Sequence, residues 1–208
     1  MTDIAPIVFV VDDDPSVRKS LTRLIASAGY TVQAFASARE FLARVEPRGA
    51  CCLVLDVRMP GLTGLDLQEA LAHALHRTPI IFITGHGDVP MSVRAMKGGA
   101  VDFLTKPFDV ESLLEAIQRA VAQDVRTLHD EAHTRHIRER VQTLTPRETE
   151  VFALVVTGML NKQIAGELGI GEKTVKVHRA RVMEKMHAGS VAELVRLADG
   201  VGVIVPSS

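Results

Sequence analysis

Little in this 208-residue chain would place it outside a cell or across a membrane. It has two cysteines, adjacent at Cys51 and Cys52, and they open an apolar run. A disulfide framework is not expected of such a pair, which reads as small hydrophobes in a buried strand. No apolar run approaches the roughly 20 residues that span a bilayer. No basic-then-apolar leader opens the sequence, so a cytoplasmic protein with no membrane partner is expected. Glycine and proline are absent between Pro107 and Pro146. A flexible tether would contain some, so a helix entering at Val110 is expected to continue through Val121, Val125, Leu128 and Ala132 as a long helical linker. An excess of either charge is lacking too, the formal net charge being -1.

A balanced charge would argue against nucleic acid only if it were uniform. Residues 1–121 carry 12 basic and 14 acidic side chains, and residues 142–208 carry eight and seven, so totals decide nothing. Locally, Lys173, Lys176, Arg179, Arg181 and Lys185 stand against only Glu172 and Glu184, a compact positive patch.

The chain is long enough for two modest domains. In the first, short β-branched or apolar runs recur at 7–11, 31–35, 52–55, 80–83 and 101–104. Amphipathic stretches at 16–27, 38–45, 65–75, 89–97 and from Val110 onward separate them, and Gly29, Gly64 and Gly98-Gly99 fall where helices should start or stop. Five strand-then-helix repeats imply an α/β fold, a flavodoxin-like doubly wound five-stranded parallel sheet.

In such a sheet, ligand-binding groups collect at the carboxyl ends of the strands. Asp12-Asp13-Asp14, Asp56 and Lys106-Pro107 all follow runs that would be strands, so Asp12, Asp13, Asp56 and Lys106 should share one pocket. Clustered carboxylates repel and raise one another's pKa unless a cation is present. Hard oxygen ligands with open water positions favour Mg²⁺. Asp56 could attack a phosphoryl donor in line while the metal and Lys106 neutralise charge on the equatorial oxygens. Any one of these aspartates alone would read as a turn residue; the constellation carries the inference.

The motifs VVDDD, LDVRMPGLTG, FITGHGD and GAVDFLTKPF occur together and in order over about residues 6–121. In this the chain resembles the receiver domains of bacterial two-component response regulators. The resemblance implies that Asp56 is the phosphoacceptor, that Asp13, Asp56 and the backbone carbonyl of Arg58 hold Mg²⁺, and that Asp12 acts through water. It implies that Thr84 supplies a hydroxyl that moves to the phosphoryl group, that Phe103 rotates inward afterwards, and that Lys106, with a cis bond to Pro107, transmits the change. Asp14 matches an acidic third position. His86 sits beside Thr84, but an ionised aspartate has no proton for a base to remove at neutral pH.

The run HGDVPMSVRAMKGGAVDFLTKPF is similar to the FixJ-type regulators, including those of aromatic-hydrocarbon degradation. That likeness implies a phosphorylation-dependent homodimer through residues 89–97 and 101–104, with Val89, Val93 and Val101 on its face. It also implies a sensor histidine kinase as partner.

In the second domain, Thr145-Pro146-Arg147-Glu148 combines a Thr N-cap, Pro at the first helical position and Glu at N3 of a capping box. Gly158 should stop that helix, Asn161 cap a second reaching Leu168, and a basic helix over 172–186 follow. Two helices joined by a tight Gly-containing turn make a helix-turn-helix. At about 100° per residue, Val175, Val182 and Met186 fall on one side of the basic helix with His178 near its edge. Lys173, Val177, Ala180 and Glu184 fall opposite, flanked by Lys176. Lys176 would meet base edges or phosphate, Val177 and Ala180 thymine methyls, and Lys162, Thr174 and Arg179 phosphates.

The segment LTPRETEVFALVVTGMLNKQIAGELGIGEKTVKVHRARVMEKM resembles the DNA-binding domain of LuxR/NarL-type regulators. By that resemblance a last helix, 191–198, gives a dimer surface through Val191, Leu194 and Val195, and the DNA site is an inverted repeat in promoters served by RNA polymerase. Gly171 and Ala180 depart from the commoner residues of that pattern. His129, His133 and His136 recur on one face of the linker, where solvated side chains are expected rather than a metal.

The expected organisation is therefore a receiver over 1–121, a helical linker over 122–143 and a small all-α helix-turn-helix domain over 144–208. The expected function is a transcription factor switched by phosphorylation, an activator by resemblance, with no metabolic substrate of its own. A phosphoryl-transfer enzyme using an aspartate nucleophile is the first alternative, but Arg58 stands where its general-acid aspartate would be. The second is a phosphorylation-independent DNA-binding regulator with a vestigial receiver, which the filled acidic and switch positions disfavour.

Overall fold

The computed structural model describes residues 5–45, 49–72, 78–85 and 88–201. By internal contacts the chain divides into two compact units, Met1–Leu128 and His129–Ser208. Five strands and four helices alternate in the first: β1 Ile7–Val11, α1 Pro15–Ser27, β2 Thr31–Phe35, α2 Ala38–Arg44, β3 Cys51–Asp56, α3 Gly64–Ala72, β4 Ile80–Thr84, α4 Val89–Lys97 and β5 Asp102–Thr105. Then comes α5, Val110–Gln142. The sheet is wholly parallel with order β2-β1-β3-β4-β5.

β3 and β4 are buried along their whole length, and β1 at all but its first residue. That is why they read as unbroken apolar runs rather than alternating ones. Phe9, Leu53, Leu55 and Phe82 pack on one side of the sheet with Phe41 and Leu67; Val8, Val10, Val54 and Ile81 pack on the other with Leu21, Ile25, Leu113 and Ile117. Cys51 and Cys52 lie in this sheet as free, buried thiols. Burial pushes the Cys51 thiol up to about 12, with the neighbouring Asp124 charge adding to it, so it stays protonated and inert at neutral pH.

The expected start of β5 moves. β5 begins at Asp102, not Val101, with Val101 donating to the Ile80 carbonyl just before the paired stretch. The end expected for α3, residues 73–75, lies outside the described residues.

The linker is a helix, but not only a tether. Val121 packs into the first unit's core, and Ile137, with Val141 and Leu144, packs into that of the second. The helix turns assigned by sequence to a separate linker, 122–143, are thus divided between the units. Asp124, on the buried face of α5, accepts the Cys51 backbone N–H at 2.8 Å and so caps the start of β3.

The second unit adds α6 Pro146–Val156, α7 Asn161–Leu168, α8 Glu172–Lys185 and α9 Val191–Val201 around Val151, Phe152, Ile164, Val175, Val182 and Met186. α6 starts with the expected capping box of Thr145 and Glu148. Asn161 does not cap α7: Leu160 holds that position, its N–H donating to Gln163 Oε1 at 2.8 Å, and Asn161 is the first helical residue. Gly169 closes α7 in the left-handed conformation, φ 64°, where a side chain would be strained. α8 stops at Lys185 with Met186 as its C-cap, and α9 runs three residues beyond the expected Ala198. No helix among the described residues is long and apolar enough to cross a membrane.

Glu148 is buried, yet its carboxylate meets Lys185 Nζ at 2.6 Å and the Thr145 N–H at 2.9 Å. The Lys185 hydrogen bond, then that of the Thr145 backbone, hold its pKa down to about 2 from 4.5. The stabilisation is therefore complete above the ordinary value and is lost as pH falls from there toward the folded value. Lys185→Met removes the main cause, so the acid unfolding midpoint of the second unit should move to higher pH. NMR signals of α6–α9 followed during acidification check this; an unchanged midpoint would show the pair to be inconsequential.

Candidate functional site

The parallel register brings the ends of β1, β3 and β5 to one edge, and there the sequence-predicted residues meet. Lys106 Nζ donates to Asp12 Oδ2 at 2.8 Å and to Asp56 Oδ2 at 3.0 Å, across 94 and 50 residues of chain. Asp12 is fully buried and Asp56 nearly so, whereas Asp13 is exposed. Carboxylate oxygens of Asp12, Asp13 and Asp56 can all lie within 4.8 Å of one another.

Backbone donors fix the remaining oxygens: the Asp14 N–H donates to Asp12 Oδ1 at 2.9 Å, and the Arg58 N–H to Asp56 Oδ1 at 3.1 Å. Asp14 itself is the N-cap of α1, accepting from Ser16 and Val17. That structural role explains the third acidic position. Arg18, which the sequence did not single out, donates to the carbonyl of Asp12 at 2.7 Å and braces the acidic turn from α1.

Electrostatically the site is short of positive charge. Burial raises the Asp12 pKa, and the hydrogen bond and charge of Lys106 only partly offset it while Asp56 pushes the same way. Burial alone would lower Lys106, but its hydrogen bonds to Asp12 and Asp56, with their charges, outweigh that and raise it. The ammonium is thus secured as a cation, one against three carboxylates. Three hard oxygen donors with a residual charge of about -2 fit a small divalent cation, with Asp13 on the open side.

Thr84 ends β4 and is fully buried, and its carbonyl accepts the Lys106 N–H at 2.7 Å. Phe103 is half-buried on β5, its ring centroid 6.2 Å from that of Phe82. The Lys106–Pro107 bond is cis. His86 lies outside the described residues.

Gly64 is a further requirement. A Cβ there would lie 2.4 Å from the Asp56 carbonyl oxygen and 3.0 Å from the Val57 Cα. The LTG of the motif was legible as a helix start, but not as a close approach to the backbone of Asp56.

In the second unit, Lys162, Lys173, Thr174, Lys176, Val177 and Ala180 do not lie in its core; all but Lys162 are on α8. Val175, Val182 and Met186 are sealed inside. Arg179 is half-buried and donates to Asn161 Oδ1 at 3.0 Å, a tie between α8 and α7. Lys185 is likewise taken up, by Glu148 and the Thr143 carbonyl.

Of the expected dimer residues, Val89 and Val93 are exposed on α4, Val101 is half-buried, and Val191 and Val195 are partly buried on α9. Leu194 is corrected: it is completely buried in the second unit's own core, so its side chain has no surface to offer a partner.

Comparison with known proteins agrees with this geometry. The response regulator receiver domain family matches residues 8–118, and the luxR family of bacterial regulatory proteins matches residues 142–198. The chain belongs to the two-component response regulators. It is 53% identical to nodulation protein W of Bradyrhizobium diazoefficiens over 95% of this chain and 87% of that one. It is 46% identical to the transcriptional regulatory protein FixJ of Rhizobium meliloti, over 95% and 96%. Among solved structures, the response regulator StyR matches with a TM-score of 0.84 at 47% identity, covering 94% of this chain and 99% of that one.

A response regulator with these two domains acts in transcription and has a histidine kinase and DNA as partners. Among the described residues, the acidic cluster could hold the divalent ion that receiver domains bind through such residues.

Gly64→Ala tests how tightly this regulator's site is built. The added methyl must displace the loop carrying Asp56, which should cost about 1–3 kcal/mol of receiver stability and slow phosphorylation. Thermal melting and the rate of labelling by acetyl phosphate report the two. A variant that matches wild type in both would contradict the contact.

Proposed function

We propose that this response regulator is switched by phosphorylation of Asp56. The observation that carries the reading is the Lys106 ammonium bridging Asp12 and Asp56 at the mouth of β3. A carboxylate oxygen of Asp56 attacks the phosphorus of a phosphohistidine on the partner kinase. The P–N bond breaks, the new P–O bond forms, and the imidazole leaves with the electron pair. Asp12, Asp13, Asp56 and the Arg58 carbonyl would hold Mg²⁺, which when bound supplies positive charge to the transferring phosphoryl group. Lys106 supplies the same from the protein side.

Afterwards the Thr84 hydroxyl turns to the phosphoryl oxygens, Phe103 fills the space vacated, and Lys106 carries the change into β5. Val89 and Val93, exposed apolar side chains on α4, with Val101 beside β5, then meet a second copy.

Dimers place two α8 helices on an inverted repeat about one helical turn apart. Lys176 reads base edges, Val177 and Ala180 touch thymine methyls, and Lys162, Lys173 and Thr174 meet phosphates. Arg179 contributes by holding α8 to Asn161. Val191 and Val195 on α9 extend the dimer contact. Bound in the cytoplasm to promoters, the dimer recruits RNA polymerase and activates transcription.

Asp56→Asn should abolish the base-labile acyl phosphate formed from a small phosphodonor with Mg²⁺, because an amide is a poor nucleophile. Undiminished labelling overturns the assignment. Lys176→Ala should cost roughly 1–3 kcal/mol on the specific site and relax preference at one base position. Equal loss on specific and random DNA in a binding titration would return Lys176 to the phosphates.

A further inference from the structure

α8 carries a half-buried polar side chain that neither the core nor the base-reading face accounts for. His178 is half-buried, and its Nδ1 is sealed from solvent with no hydrogen-bond partner. Nε2, on the far side of the ring, makes no hydrogen bond among the described residues. An unmet buried N–H is rarer and worse tolerated than an under-satisfied acceptor. A bare acceptor at the sealed Nδ1 costs less than a bare donor there, which leaves Nε2 as the nitrogen placed to donate outward.

What this donor meets follows from helix geometry. Successive residues turn by about 100°, so His178 lies about 60° from Val175, which faces the core, on the flank that also carries the exposed Thr174 and Arg181. Val177 and Ala180, which meet base edges, lie opposite the core together with Lys173, and the base-reading Lys176 flanks them on the side away from His178. A helix in the major groove with that side toward the base edges has its flanks toward the groove walls, and those walls are phosphates.

We propose that His178 is a DNA-contact residue whose Nε2–H donates to a backbone phosphate oxygen, a neutral clamp beside the charged contacts. The inference rests on the reading of α8 as the DNA-binding helix. A neutral donor differs measurably from a cation: it releases no counterion. Losing it weakens binding without changing the salt dependence, whereas losing a Lys or Arg phosphate contact lowers the salt slope by about 1.

The test uses the full chain, phosphorylated with acetyl phosphate, and two duplex probes: the best-bound inverted repeat selected from random DNA, and a random-sequence duplex. His178→Leu should weaken binding roughly tenfold per half-site on both probes, with the salt slope unchanged. His178→Gln, whose amide nitrogen reaches about where Nε2 stands, should recover most of the loss. Thermal melting of both variants separates a folding defect from a lost contact. Imidazole ¹⁵N NMR of the free protein should show the Nε2–H tautomer.

Wild-type affinity in the Leu variant, a slope reduced by about 1, failure of Gln to recover binding in a folded protein, or the Nδ1–H tautomer would each overturn the proposal. If wild type binds neither probe, it is the reading of the second domain that fails, and the tautomer measurement still judges the ring.

Discussion

One ammonium among three carboxylates is the constraint on which the receiver depends. Lys106 stabilises Asp12 and Asp56 without neutralising the set, and burial of Asp12 makes the shortfall costly. Such a site persists only if the surrounding structure holds it in place. The parallel sheet does so: it brings residues 12, 56 and 106 to one edge, and the order β2-β1-β3-β4-β5 sets β1 beside β3. The two apolar layers on either side of the sheet supply the stability that the edge gives up. The imbalance is also what makes the site responsive: a divalent cation or a change in charge at Asp56 has a large electrostatic effect in a setting already short of positive charge.

The same sheet explains which parts of the receiver were legible in its sequence. Strands buried on both faces are short unbroken apolar runs, and residues at their carboxyl ends are the ligand-binding ones. Both the order of elements and the meeting of Asp12, Asp13, Asp56 and Lys106 could thus be read from the chain. What escaped were contacts whose residue types carry no pattern. Asp124 looks like a solvated charge in a helix, yet it is fully buried and accepts the N–H of Cys51. Arg18 looks like an ordinary helix-surface cation, yet it holds the Asp12 carbonyl. Gly64 reads as a helix start, yet in the folded chain it lies against the backbone of Asp56.

The second unit shows the converse, where a legible pattern promised too much. Helical periodicity separated the sealed Val175, Val182 and Met186 from the exposed Lys173, Lys176, Val177 and Ala180. The family resemblance put Leu194 on a dimer surface, and a helix with one apolar stripe does not disclose whether the stripe meets its own core or another copy. In α9 the core takes it, and Val191 and Val195 stay partly buried.

Counting cations likewise overstates what faces a ligand. Of the five basic residues that mark α8 in sequence, Lys185 is committed to Glu148 and the Thr143 carbonyl, and Arg179 to Asn161. Those two tie α8 to the elements around it, so they act on recognition by setting the pose of the helix. Lys173, Lys176 and Arg181 remain exposed to act on it directly. A helix that must sit in a groove to within a fraction of an ångström needs both kinds of charge. Division of labour between anchoring and contacting side chains, more than total positive charge, is therefore what lets a domain with eight basic and seven acidic residues serve as a DNA reader.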